Sequence, residues 1–161
     1  MPSDLVTNFT VGPAKLYHGA AEFLCEQLQQ GVGEISHRSK AFSDLSEQSL
    51  AAFREFFAVP PDYRVFYTYS ATEGMEIITR SAVDEKSCHI VNGNFGNVWY
   101  KTATKAHKTA QKLSHDDGKT RVEPAEIIPQ DGTELLALTA NETSTGIAYA
   151  PTYIAALRAR Y

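Results

Sequence analysis

The run Phe66-Tyr67-Thr68-Tyr69-Ser70-Ala71-Thr72-Glu73-Gly74-Met75-Glu76-Ile77-Ile78 decides the fold. Its first part is β-branched and aromatic, a composition that favours a strand. Its middle is small and polar. Its last part sets Met75 three residues from Ile78 and four from Thr79, a helical interval. A strand, a tight turn and a helix start bring free backbone N–H groups and the positive end of the helix dipole to one mouth, where an anion binds. Ser70 and Thr72 add hydroxyl groups there. The stretch predicts a phosphate cup, most simply for the phosphate of a cofactor.

Upstream, Asn8, Gly12 and Pro13 mark residues Thr7 to Lys15 as an irregular leading loop. From Lys15 to Gln30, Leu16, Ala20, Phe23, Leu24 and Leu28 recur at helical spacing, and Gly31 and Gly33 stop the pattern. The polar loop Glu34-Ile35-Ser36-His37-Arg38-Ser39-Lys40-Ala41-Phe42 follows. An Arg flanked by hydroxyls and an imidazole suits a carboxylate or phosphate, and a solvated loop with an incidental charge cluster is the plainer reading. Phe42, Leu45, Leu50, Phe53, Phe56 and Phe57 then predict an apolar helix ended by Val59-Pro60-Pro61, its four Phe packed in the core. Tyr63 to Thr68 is the strand that leads into the cup, and Glu73 to about Val83 its helix.

Downstream, Ser87 to Asn92 reads as a second, buried strand with His89 a satisfied core or rim residue. Gly93-Asn94-Phe95-Gly96-Asn97 is a second strand-to-helix turn, and a helix is expected from Val98 to about Ala110. Lys101, Lys105, Lys108 and Lys112 then share one helical face, which reads as solvated rather than as a nucleic-acid stripe, having no interleaved aromatics. Asp116-Asp117-Gly118 is a turn, and Thr120 to Asp131 gives no clear pattern. Glu134 to Thr139 is a third strand that delivers Asn141-Glu142-Thr143-Ser144-Thr145-Gly146 at its end, and Pro151 opens a last helix.

Strands alternating with helices across short polar turns predict an α/β fold, a three-layer sandwich with a mainly parallel sheet. Ligands in such sheets bind at the carboxyl ends of strands, and three predicted ends carry small, hydroxyl or amide residues: Ser70–Thr72, Gly93–Asn94 and Asn141–Thr143. Composition narrows the ligand. A chain of 161 residues with a net charge of −4 has the size of one domain and lacks the basic surplus of a non-specific nucleic-acid binder. No apolar run has the ~18–20 residues of a membrane span, and no secretory leader is visible. Cys25 and Cys88, far apart in sequence, read as reduced cytosolic thiols. Neither Gly-x-Gly-x-x-Gly nor Gly-x-x-x-x-Gly-Lys-Ser/Thr occurs, which argues against a nucleotide-binding domain.

Four stretches, Asn8–Ala14, Ile35–Phe42, Ser70–Glu76 and Asn141–Gly146, together resemble the class V aminotransferases, pyridoxal-phosphate enzymes of fold type I, and among them the phosphoserine aminotransferases. The resemblance covers nearly the whole chain. It implies that Ala71, Thr72 and Glu73 cradle the phosphate of pyridoxal 5'-phosphate through backbone N–H groups, although the family often has a glycine-rich turn, or an Arg in place of Glu73. It implies that Phe95 stacks on the pyridine ring, that Thr143 hydrogen-bonds its 3-oxygen, and that Arg38 takes the substrate carboxylate with His37 beside it. It further implies small-molecule amino-acid and 2-oxo-acid substrates, a homodimer and a cytoplasmic enzyme.

The resemblance also implies that residues 1–161 are an N-terminal segment plus the first half of the cofactor-binding large domain. The Asp that pairs with the pyridinium nitrogen and the Schiff-base Lys are then expected beyond Tyr161, so that this chain holds no catalytic Lys. The expected reaction is amino transfer from glutamate to 3-phosphohydroxypyruvate, in serine biosynthesis. A class V aminotransferase of alanine–glyoxylate or serine–pyruvate type, and a non-catalytic phosphate-binding module, are the rival expectations.

Overall fold

The computed structural model describes residues 15–118 and 120–161; of the loop predicted from Thr7 to Lys15 only Lys15 is described, and the Asn8–Ala14 stretch lies outside the described residues. The chain divides into two compact units, Met1–Phe66 and Tyr67–Tyr161.

In the first unit the apolar periodicity gives two helices, α1 (Ala20–Gln29) and α2 (Lys40–Phe56). Helix α1 is shorter than the predicted span and ends before Gly31, whose φ of 77° only a glycine adopts without strain. Helix α2 starts at Ser39, whose Oγ accepts from the Phe42 N–H at 3.2 Å and satisfies one of the orphan donors of the first turn. The four Phe expected in the core are not buried. Phe42, Phe53, Phe56 and Phe57 remain exposed, and the Phe57 ring meets Phe53 tilted at 4.6 Å and Phe56 edge-on at 4.9 Å between centroids. Spacing defines an apolar face, but a core also needs a second surface over it, and spacing does not supply one.

The second unit holds α3 (Ala71–Ala82), β1 (Lys86–Ile90), α4 (Asn94–Lys105), β2 (Thr109–Leu113), β3 (Leu135–Leu138), the two-residue strands β4 (Asn141–Glu142) and β5 (Ile147–Ala148), and α5 (Pro151–Arg160). Strands β2, β1 and β3 form a parallel sheet in that order, with Ile90 level with Leu113 on one side and Leu138 on the other. Successive side chains of β1 point to opposite faces. On one face Ile90, flanked by Leu113, Leu136 and Leu138, packs with Tyr153 and Leu157 of α5, Tyr149 and Ile127. On the other, the His89 ring meets Trp99 and Tyr100 of α4 edge-on at 6.2 and 6.0 Å. Helices α3 and α4, the sheet, and α5 make the three expected layers.

Two predicted elements differ. Tyr63–Thr68 forms no strand, and Phe66, Tyr67 and Tyr69 are exposed. β-propensity is a fit to a paired, half-buried surface, and this exposed segment joins neither sheet. The helix expected from Val98 to Ala110 begins earlier, at Asn94, and ends at Lys105, with β2 after it. The four-lysine face therefore does not exist: Lys108 lies in the turn and donates to the Asp84 carbonyl at 3.1 Å, and Lys112 is on β2. In the stretch without pattern, Pro124–Glu126 form one 3-10 turn closed by reciprocal bonds between Glu123 and Glu126.

Candidate functional site

At the stretch predicted to hold a phosphate the structure has a helix start. Ser70 is the N-cap of α3, and its Oγ accepts from the Glu73 N–H at 3.1 Å. The Glu73 carboxylate turns back to accept from the Tyr69 N–H, and the Ser70 carbonyl accepts from the Gly74 N–H at 3.0 Å. This reciprocal capping fixes the turn and leaves the exposed N–H groups of Ala71 and Thr72 without a partner among the described residues. Two unsatisfied donors at the positive end of a 12-residue helix suit a phosphate. Glu73 enters this cup through the shape of the turn, its own N–H being taken by Ser70. Helix α3 is fixed to α4 by Thr79, fully buried, which donates to the Met75 carbonyl at 2.8 Å and accepts from Trp99 Nε1 at 3.1 Å.

The other two predicted strand ends are joined to each other. The loop after β1 and the turn between β4 and β5 are stitched by three hydrogen bonds. The Asn94 N–H donates to Ser144 Oγ at 2.8 Å, the Gly96 N–H to Glu142 Oε2 at 2.9 Å, and Thr145 Oγ1 to the Asn92 carbonyl at 2.9 Å. Phe95 stands between Asn94 and Gly96, and Thr143 between Glu142 and Ser144, so the stitching ties together the two segments that carry these exposed residues. An aromatic face beside a hydroxyl suits a flat heteroaromatic ring carrying an oxygen substituent. A hollow of about 380 Å³ lies alongside, lined by Asn94, Asn97, Lys112, Ser144 and Thr145 among others, and by none of the predicted cofactor residues.

Arg38 and His37 lie in the first unit, on the exposed turn before α2. Ser39 closes that turn, its N–H and Oγ both donating to the Ser36 carbonyl at 2.9 and 2.7 Å. Lys40 is neutralised by Asp44 at 2.7 Å, whereas no described residue pairs with the Arg38 guanidinium. His37, Arg38, Ser39 and Ser43 line an open hollow of about 480 Å³, so a free fork-shaped cation faces space there.

Groups that composition alone offered as chemistry are withdrawn from it. His89 is buried, with Nε2 2.9 Å from Ser87 Oγ and Nδ1 unpartnered, and burial lowers its pKa to about 4. It is therefore neutral at neutral pH and enclosed. Burial raises the Cys88 thiol to about 11, leaving no thiolate, and Cys25 is exposed and unbridged. No metal-binding cluster of His, Cys, Asp and Glu occurs among the described residues.

The residue that sequence reasoning passed over is Glu142. Its carboxylate is fully buried and accepts from Gly96, from the Ser144 N–H at 3.2 Å and from Ser144 Oγ at 2.5 Å. The available signal was an acid at the end of an apolar strand, where a charge is costly unless multiply hydrogen-bonded.

The family model for Aminotransferase class-V matches residues 10–159 of this chain. The phosphoserine aminotransferase of Streptococcus suis (strain 05ZYH33) is 34% identical over 112 residues, 65% of this chain and 31% of that protein. That of Shewanella woodyi is 29% identical over 134 residues, 78% of this chain and 34% of its own length. The crystal structure of a phosphoserine aminotransferase from Cytophaga hutchinsonii superposes on 92% of this chain with a TM-score of 0.85 and 33% identity, using 41% of its own chain. The chain thus spans about a third of the length of the relatives it matches.

Proposed function

The chain belongs to the class V aminotransferase family, and on that premise we propose that it supplies one wall of a pyridoxal 5'-phosphate site in an enzyme that moves an amino group from glutamate to 3-phosphohydroxypyruvate, in serine biosynthesis. The observation that carries the reading is the pair of free N–H groups on Ala71 and Thr72, in the same unit as the stitched segments that carry Phe95 and Thr143. Pyridoxal phosphate, when bound, supplies an electron sink for the amino-acid carbon.

Each residue of this chain has a task in the proposal. The Ala71 and Thr72 N–H groups take the phosphate, with Glu73 fixing their direction. Phe95 covers one face of the ring, and Thr143 Oγ1 donates to its 3-oxygen. Arg38 grips the substrate carboxylate in two parallel bonds, with His37 beside it for a distal acid or phosphate. The lysine that bonds the cofactor, and the aspartate at the ring nitrogen, belong in this reading to sequence outside residues 1–161, which form the N-terminal segment and first half of the large domain. The enzyme is read as a cytoplasmic homodimer. The names of the relatives support the choice of acceptor, and rates with 3-phosphohydroxypyruvate, glyoxylate and pyruvate in the complete protein discriminate it.

Ala71→Pro tests the cup directly. Proline is accepted at the first position of a helix, and Ser70 is already extended as a residue before proline must be. The variant therefore keeps the fold and deletes one donor. In the complete protein its dissociation constant for pyridoxal phosphate should rise roughly 10-fold or more, the worth of a hydrogen bond to a charged group. An unchanged constant in a folded variant sinks the assignment of this cup.

A further inference from the structure

Helix α4 begins without a local cap. Its N-cap is Gly93, which has no side chain to offer its first turn. The missing acceptors come from 46 and 50 residues away: Glu142 Oε2 takes the Gly96 N–H and Ser144 Oγ takes the Asn94 N–H. Ser144 in turn donates its own hydroxyl and N–H to Glu142 Oε1. One buried carboxylate thus anchors both the start of α4 and the turn after β4. Gly93 makes room for it, since a Cβ there would lie 2.4 Å from Glu142 Cγ.

The anchored segments are those that carry Phe95 and Thr143. Glu142 and Ser144 flank Thr143 in sequence, and the N–H groups they hold flank Phe95. We infer that Glu142 is a positioning residue: its carboxylate, capping α4 from across the sheet edge, sets the spacing between Phe95 and Thr143 and so the seat of the cofactor ring. Its other contacts are all to backbone or to Ser144, and no cation pairs with it among the described residues. A carboxylate suits this place because every neighbour is a donor. An amide at the same position turns an N–H₂ group toward one of those donors and breaks the double anchorage. The ring-seating part of the inference rests on the function proposed above, whereas the clamp itself does not.

The test uses the complete protein and needs no turnover. Amide exchange is measured first in the cofactor-free protein, and pyridoxal phosphate is then titrated with visible circular dichroism as the readout. In Glu142→Gln, exchange at Gly96 or at Asn94 should rise roughly 10-fold or more while β1 amides keep their protection, and the cofactor's dissociation constant should rise by a similar factor. The dichroic band per bound cofactor should shrink as the ring loses its fixed seat. Unchanged exchange at both Gly96 and Asn94 overturns the clamp, and a normal band and affinity in a destabilised variant reduce Glu142 to a structural residue and overturn its positioning role. Ser144→Ala removes only a hydroxyl and carries the same readings, at Asn94, where Glu142→Gln does not fold. Wild-type protein that takes up no pyridoxal phosphate overturns the proposed function and the ring seat with it, and the exchange at Gly96 and Asn94 then decides the clamp.

Discussion

Gly93→Ala should be among the costliest single-methyl additions in the second unit. The backbone is not the reason: a φ of 170° is extended and open to any residue. Space is the reason. The new Cβ would stand 2.4 and 2.5 Å from Cγ and Cδ of Glu142 and 2.7 Å from Ser144 Oγ, below the 3.0 Å that real contacts respect. Glu142 is a side chain and side chains can move, but this one is fully buried and gives up its bonds to Gly96 and Ser144 when it does. Overpacking costs about 1–3 kcal/mol and loss of a helix cap about 1 kcal/mol, so the sum is roughly 2–4 kcal/mol. Urea unfolding followed by Trp99, the single tryptophan and a residue of α4, measures it in the unit concerned. Gly74→Ala is the control of opposite sign. It lies inside α3 with nothing within 4 Å of its added Cβ, and should stabilise by about 0.5–1 kcal/mol. If Gly93→Ala unfolds within about 0.5 kcal/mol of wild type, the ordinary scatter of surface changes, Glu142 is not held where the clamp requires.

Two further outcomes follow from buried polar groups. His89 is held neutral, its pKa lowered from 6.5 to about 4 by burial, so the unfolded chain takes up a proton that the folded one refuses. Its stabilisation is complete above pH 6.5, falls as the pH drops toward 4, and amounts to roughly 3 kcal/mol across that window; a His89→Gln variant that loses as much stability as wild type between these limits would refute this. Thr79→Val keeps the shape and removes the acceptor for Trp99 Nε1, so unfolding should cost about 1–2 kcal/mol less and the Trp99 emission should shift, and an unmoved emission maximum would show that the bond is not made.

How far the sequence is legible depends on where the information for each element lies. β1 is buried on both faces and reads as an apolar run, so its position was predictable to within two residues. α3 carries its start signal in Ser70 and Glu73, within four residues of each other. β2 was not legible, because Thr109-Ala110-Gln111-Lys112-Leu113 is an edge strand whose polar alternation continues the helical pattern before it. Tyr63–Thr68 failed in the opposite direction: its residues favour a strand strongly, but a strand exists only in its ladder. The Phe face of α2 teaches the same point, since spacing encodes which side is apolar and says nothing of what lies over it.

The site divides along the same line. Residues proposed to touch the ligand, Ala71, Thr72, Phe95, Thr143 and Arg38, stand in short motifs and are proposed from them. The residues that hold those positions, Glu142, Ser144, Gly93 and Thr79, act over 20 to 50 positions of sequence and were found only from contacts. β4 shows why both kinds can share one motif. Asn141 is exposed and Glu142 fully buried, the alternation of an extended chain, and the exposed Thr143 opens the turn that follows. Asn-Glu-Thr thus presents one residue to a ligand only by committing its neighbour to the interior. A slip of one residue would exchange them, placing the hydroxyl inside and an unpaired carboxylate beside the proposed cofactor. The buried bonds of Glu142 are what oppose that slip, so the acid that never faces the ligand sets which residue does.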